Sequence, residues 1–276
     1  MSLSIFTNAS SMASTNALNK SNNALATAME RLGTGKRINS AADDAAGLQI
    51  ATRLQAQSNG MGVAQRNISD ATAMLQTAEG AFDEVTNIMH RMKDLATQAS
   101  NGTNTDKDLT SMQAEFKELG TELGNIMSNT SYSGDKLFTK LGTAVDFQIG
   151  ASSSEKMTLD IATDLGKVTT TTTALGTASI ATGTDASAMI DTLNGALDEV
   201  STVRSSLGAN INRLGHTSNN LSNMKDNTDV AIGNIMDADF AAEASSMTRN
   251  QMLSQTSMSM LKQSNSTSGM VMSLLG

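Results

Sequence analysis

The sequence predicts a mainly α-helical protein: a long antiparallel coiled-coil or helical-bundle rod with one small β-hairpin region. The chain has 276 residues and contains no Pro, Cys or Trp, while 19 residues are Met. Small and unbranched side chains suit helix seams, and the lack of Pro removes the commonest helix breaker. Apolar residues also recur at alternating steps of three and four over long stretches, which is the pattern of helices packed side by side.

The longest of these seams begins at residue 61. Its members are Met61, Ala64, Ile68, Ala71, Leu75, Ala78, Phe82, Val85, Met89 and Met92. An a/d pattern held for more than four heptads is a strong signal of a helix. Because the same register extends back to Leu54 and Ile50 and forward to Ala99, we expect one helix from about Ser40 to Ala99.

Two further seams predict the other long helices. The first covers residues 109–126 and ends at the turn signal "SNTSYSGD", so we expect it to be an antiparallel partner of the longest helix. The second covers residues 189–235 and is interrupted by Asn210, Thr217 and Thr228. Polar seam residues cost stability but fix register and partner number.

Period-two alternation marks the region between these helices. The stretches "TAVDFQIG" and "EKMTLDIA", joined by "ASSS", predict a β-hairpin near residues 143–162. Residues 166–188 are rich in Thr, Gly and Ala and weakly patterned, so we expect a short Thr-rich loop there. The predicted rod domain therefore comprises residues 40–165 and 189–235.

Both ends of the chain are amphipathic. Residues 1–39 carry apolar side chains such as Leu18 and Leu25 at helical spacing, and residues 236–276 carry Met247 and Leu261. Neither seam is dense enough to fold alone, so each terminal helix needs a partner, either the other terminal helix or a neighbouring copy.

Composition and motifs exclude several functions. The net charge of -8 disfavours nucleic acid as a partner, and the lack of any run of 18 apolar residues predicts no membrane span. His90 and His216 are isolated, and the strong zinc, phosphate-loop and thiol motifs are absent. We therefore expect no enzyme activity, no catalytic residues, no metal site and no cofactor.

The adjacent carboxylates of "INSAADDAAGLQIATRL" are the remaining candidate site. Neighbouring residues on a helix point about 100° apart, so Asp43 and Asp44 do not form an acid/base pair. Ser40 and Asp43 instead have the spacing of a capping box, and carboxylates in a first turn favour the helix dipole. The alternative is a charge contact between copies of the chain.

Two blocks resemble the signatures of bacterial flagellins. "RLGTGKRINSAADDAAGLQIATRL" is similar to the N-terminal signature, and "IMDADFAAEASSMTRNQMLSQTSMSMLKQSNSTSGMVMSLLG" is similar to the C-terminal one. The hairpin also resembles that of the family. The resemblance implies terminal helices (residues 1–39 and 236–276) that pair in an inner tube, a rod in an outer tube, and a loop at 166–188 in place of surface domains.

The resemblance also implies function and partners. It implies an extracellular homopolymer, the flagellar filament used for motility, whose subunit is exported unfolded by the flagellar type III system. Its partners would be an export chaperone, the filament cap and hook-junction proteins. The alternative within the apparatus is a hook-filament junction (hook-associated) protein. At the elbow between the tubes, Lys36 and Arg37 are expected to pair with Asp43 or Asp44 of the same or an adjacent subunit.

Receptor contacts follow from the same resemblance. "MHRMKDLATQAS" is similar to the stretch by which host Toll-like receptor 5 recognises flagellins, and Arg91, Leu95 and Gln98 match it, with Glu115 on the neighbouring helix. The alternative is a solvated helix face. The terminal residues Val271, Leu274 and Leu275 resemble those sensed by intracellular inflammasome receptors.

Overall fold

The computed structural model describes the backbone of residues 8–275 and the side chains of residues 8–267, 269 and 270. The helices are α1 (Ala9–Thr34), α2 (Ala45–Ala99), α3 (Asp106–Asn129), α4 (Leu137–Leu141), α5 (Ala162–Gly176), α6 (Gly183–Met236) and α7 (Phe240–Leu275). The strands are β1 (Ser131–Tyr132), β2 (Asp135–Lys136), β3 (Val145–Gln148) and β4 (Lys156–Leu159). The predicted mainly α class is confirmed.

The chain divides into two compact units. Unit 1 comprises the described residues up to Ala56 and those from Asp226 onward, and unit 2 comprises Gln57–Lys225. Helices α2 and α6 contribute residues to both units.

Unit 2 contains the continuous hydrophobic core. All ten residues of the predicted seam from Met61 to Met92 are at most 4% exposed, and they form one cluster with apolar side chains of α3, α5 and α6. The extension of that register to Ile50 is wrong, because Ile50 is 43% exposed and Ala51 is buried in its place. Both residues belong to unit 1, which has no comparable core to hold the register.

The predicted β-hairpin is confirmed, and the structure gives its register. Strands β3 and β4 pair antiparallel, with Val145 opposite Leu159 and Gln148 opposite Lys156. Met157 and Leu159 are buried, since they share one face of the strand. A smaller antiparallel pair, β1 and β2, turns through Ser133 and Gly134 at positive φ, and α4 follows it.

The Thr-rich loop predicted at residues 166–188 is wrong. Helix α5 runs through residues 162–176, and α6 already begins at Gly183, so the connection between them is short. The consecutive threonines have low helix propensity, but Leu165, Val168 and Leu175 share a face and are each at most 2% exposed. Burial of that face against unit 2 outweighs the local preference of threonine.

Unit 1 pairs the two terminal helices antiparallel. Asn8 of α1 donates a hydrogen bond to Ser264 Oγ at 3.0 Å, whereas Ser254 Oγ on α7 donates to Asn22 Oδ1 at 2.8 Å. Side chains near the start of α1 therefore meet side chains near the end of α7. At the opposite end of the pair, Arg31 and Glu243 form an ion pair of 3.0 Å.

Candidate assembly site

Unit 1 exposes apolar side chains that a stable fold would bury. Ten of the twelve large apolar side chains that are exposed in the described part of the chain belong to it: Met12, Met29, Ile50, Val230, Phe240, Met252, Leu253, Met258, Met260 and Met270. Its buried apolar residues are Ala28, Ile38 and Ala51. No described side chain of α7 is buried. The pairing of α1 with α7 therefore leaves most of the apolar surface of unit 1 in water.

Part of this surface forms a stripe along α7 beside the face that contacts α1. At about 100° per residue, Met252, Leu253 and Met260 fall within an arc of about 100°. Glu243, Ser254 and Ser264 bond to α1 or to its N-cap residue Asn8, and they lie on the neighbouring face of the same helix. The three stripe residues are 47–60% exposed. We call them the α7 stripe.

The links between helices form a second feature of unit 1. The Arg37 N–H donates to the Met236 carbonyl at 2.6 Å, and the Ala238 N–H donates to the Gly35 carbonyl at 3.0 Å. Gly35 has a φ of 71°, where a side chain would add strain, and it ends α1. These residues, 35–37 and 235–238, are called the clasp. The clasp ties the α1–α2 link to the α6–α7 link.

The predicted elbow contacts are wrong within the subunit. Lys36 pairs through its backbone with Asp237, and the Arg37 guanidinium donates to the Ile235 carbonyl at 2.8 Å. Neither basic side chain forms an ion pair with Asp43 or Asp44 in the described part of the chain. The backbone bonds of the clasp instead hold Lys36 and Arg37 beside the α6–α7 link, where the Arg37 side chain also bonds.

Asp43 and Asp44 have separate structural roles. Asp43 Oδ2 accepts from the Ser40 N–H at 2.9 Å, the Ser40 hydroxyl at 3.0 Å and the Asn39 N–H at 3.1 Å. These bonds, led by that from the Ser40 backbone, lower the pKa of Asp43. Asp44 Oδ1 accepts from the Gly47 N–H at 2.8 Å, so Asp44 rather than Ser40 caps α2.

The receptor candidates separate into exposed and buried residues. Arg91 Nε and Nη2 donate to one oxygen of Glu115 at 2.9 and 2.6 Å, and the two side chains are 55% and 46% exposed. Gln98 is also exposed and lies about two helical turns beyond Arg91 on α2. Leu95 is only 2% exposed and belongs to the buried cluster of unit 2, so it does not lie on the surface that would meet the receptor. His90 and Asp94 are exposed and Lys93 is half-buried.

The inflammasome candidates Val271, Leu274 and Leu275 have backbones within α7, but their side chains lie outside the described residues. In the described part, no group of three His, Cys, Asp or Glu side chains is placed to hold a metal ion. No described helix has both the length and the hydropathy that crossing a membrane requires.

Two family models together match most of the chain, on either side of residues 144–189. The bacterial flagellin N-terminal helical region matches residues 5–143, and the bacterial flagellin C-terminal helical region matches residues 190–275. The chain belongs to the bacterial flagellin family. Flagellins are structural proteins of the flagellar filament, so this flagellin is a structural subunit and not an enzyme.

Two similar flagellins have nearly the same length as this chain. The flagellin of Halalkalibacterium halodurans is 42% identical over 90% of each chain. The flagellin of Listeria monocytogenes is 36% identical over 99% of each chain. A putative flagellar hook-associated protein from Vibrio parahaemolyticus shares the fold, with a TM-score of 0.56 and 18% identity over 71% of this chain and 100% of that one.

Sequence reasoning missed the clasp and the ion pair between α1 and α7. Gly35, directly after an apolar helix, is a signal for a helix end in the left-handed region, and it could have located one side of the clasp. The pairing of Arg31 with Glu243 had no such signal, since 212 residues separate them.

Proposed function

We propose that this flagellin polymerises through unit 1, with α1 and α7 in an inner tube and unit 2 in an outer tube of an extracellular filament that serves motility. The observation that supports this proposal is the apolar surface of unit 1, and above all the α7 stripe. Burying one Met or Leu side chain contributes about 1.5–3 kcal/mol, so even the stripe alone can supply several kcal/mol per contact between copies. The occupant is a second copy of the chain, since a homopolymer covers the same surface on every subunit.

A charge placed on the α7 stripe tests this proposal. Met260 is 60% exposed, so Met260→Glu leaves the monomer folded but puts a carboxylate into the proposed contact. The matched control is Gln255→Glu, which adds the same charge to an exposed position of α7 outside the stripe and away from α1. Seeded polymerisation is followed by light scattering and electron microscopy.

We expect Met260→Glu to raise the critical concentration by more than about tenfold, while Gln255→Glu polymerises as the parent does. Equal polymerisation of the two variants would show that the stripe is not the contact. A parent chain that caps seeds without elongating them would instead favour the hook-filament junction protein.

We also propose export in an unfolded state through the flagellar type III system, with an export chaperone, the filament cap and hook-junction proteins as partners. The absence of Cys supports this route, because no disulfide can lock the chain before export. Export of the chain from cells with and without the flagellar apparatus, measured in the culture medium, tests the route.

A receptor role rests on the exposed part of the candidate surface. We propose that Toll-like receptor 5 contacts Arg91, Gln98 and Glu115 on the monomer. We also propose that intracellular inflammasome receptors bind the C-terminal residues Val271, Leu274 and Leu275. A reporter assay on monomer compares Arg91→Ala with Lys117→Ala, which also removes one exposed positive charge from a nearby helix face. Loss of response in Arg91→Ala alone supports the proposal, and no response to the parent overturns it.

A further inference from the structure

Most of the exposed methionines of this flagellin lie in unit 1, whereas its buried methionines lie in unit 2. Those of unit 2 include Met61, Met89 and Met92, which are at most 1% exposed and pack in its core. Six methionines of unit 1 are 48–62% exposed: Met12, Met29, Met252, Met258, Met260 and Met270. Met224 is the exposed methionine of unit 2 at 39%. Thioethers open to water are therefore concentrated on the surface through which we propose assembly.

We propose that the exposed methionines of α1 and α7 form an oxidation-sensitive site that controls polymerisation. The oxidant is a peroxide. The methionine sulfur attacks one peroxide oxygen and forms the S–O bond as the O–O bond breaks. Sulfur loses two electrons, one oxygen becomes the sulfoxide, and the other leaves as water with the two peroxide protons.

The consequence for assembly follows from the polarity of the product. A sulfoxide replaces a flexible apolar side chain by a polar one, and burying it without a hydrogen-bond partner is unfavourable. Met252 and Met260 belong to the α7 stripe, so oxidation changes the contact itself. The core of unit 2 is protected because the methionines that pack in it, such as Met61, Met89 and Met92, are already buried. This inference rests on the proposed polymerisation through unit 1.

The inference also makes oxidation depend on assembly. In the monomer the six exposed methionines of α1 and α7 are open to solvent, whereas a contact between copies would cover them. Peroxide would then attack free subunits and spare those inside a filament. A reducing enzyme pair that acts on both sulfoxide epimers would return oxidised subunits to the assembling pool.

The experiment treats monomer and preformed filament with hydrogen peroxide, removes the peroxide, and maps sulfoxides by peptide mass spectrometry. Circular dichroism checks the fold, and seeded polymerisation measures the critical concentration. We expect sulfoxide at Met12, Met29, Met252, Met258 and Met260 of the monomer before Met61 or Met89. We further expect a rise of about tenfold in critical concentration, reversed by methionine sulfoxide reductases A and B.

A set of leucine variants tests which methionines make polymerisation sensitive to peroxide. Met→Leu at positions 12, 29, 252, 258, 260 and 270 conserves volume and apolarity, and this variant should polymerise equally before and after peroxide. The control Met224→Leu should remain as sensitive as the parent. If the six-position variant does not polymerise untreated, reductase rescue of the oxidised parent decides the matter. Unchanged polymerisation of fully oxidised parent overturns the inference, whereas failure of untreated parent to polymerise overturns the proposed function.

Discussion

Replacing Gly120 by Ala tests how α5 packs on α3. A Cβ at Gly120 would lie 2.9 Å from the Gly176 Cα and 3.0 Å from the Leu175 carbonyl oxygen. Both neighbours are backbone atoms, which cannot rotate away as a side chain can. The new methyl group therefore forces α5 to move away from α3 or strains both helices.

The magnitude is the difference between two effects. Ala in place of Gly inside a helix stabilises by about 0.5–1 kcal/mol when space is free. Inserting a methyl group into a filled contact costs about 1–3 kcal/mol. We expect Gly120→Ala to lower the free energy of unfolding by about 1–2 kcal/mol. The matched control is Gly124→Ala, one turn further along α3, where no atom lies within 4 Å of the new Cβ.

Urea unfolding of the monomer, followed by circular dichroism, measures both variants. Gly124→Ala should stabilise by about 0.5–1 kcal/mol, and Gly120→Ala should destabilise. In thermal unfolding of a domain of this size, each kcal/mol of changed stability should shift the midpoint temperature by about 2–4 °C. Equal stabilisation by the two substitutions would refute the close approach of α3 and α5.

Three further substitutions give separate tests. Phe82→Ala removes a fully buried ring whose centroid lies 5.0 Å from that of Phe138, and we expect a loss of about 3–5 kcal/mol in urea unfolding. For the exposed pair of Arg91 and Glu115, a double-mutant cycle should give a coupling below about 1 kcal/mol, so a loss of receptor response in Arg91→Ala would not reflect unfolding. The pKa of Asp43 is lowered from 3.8 in the folded chain, so its stabilisation is present above that value and is lost as pH falls through the folded pKa. Asp43→Asn should therefore reduce amide-exchange protection of Ser40 at pH 6, and the difference from the parent should shrink below about pH 3.8; a constant difference would contradict this role.

The long helices were predictable because their signal is local and repeated. The seam residues from Met61 to Met92 all lie on one buried helix face, so many positions independently indicate the same helix. The hairpin was predictable for the same reason at period two. Helix α5 was missed because its buried face has few residues, one of them Thr172, and its exposed face includes further threonines, whose helix propensity is low.

The site was less predictable than the fold because its contacts join distant parts of the chain. The cap at Asp44 and the turn at Asp43 follow from short-range spacing, although the sequence assigned the cap to Ser40. The hydrogen bond of the Arg37 side chain depends on the clasp, and the burial of Leu95 depends on the packing of several helices in unit 2. Sequence separation hides such contacts, since neither partner alters the local pattern of the other.

The pairing of α1 with α7 also determines when the assembly surface can exist during synthesis. Arg31 and Glu243 are 212 residues apart, so α1 leaves the ribosome long before its partner has been made. Until α7 is synthesised, unit 1 lacks half of its helix pair, and the α7 stripe itself is missing. A chain truncated before α7 would therefore lack the surface through which we propose assembly. Because α7 follows α1 and unit 2 in the sequence, only subunits that contain both helices of the pair would be competent to assemble.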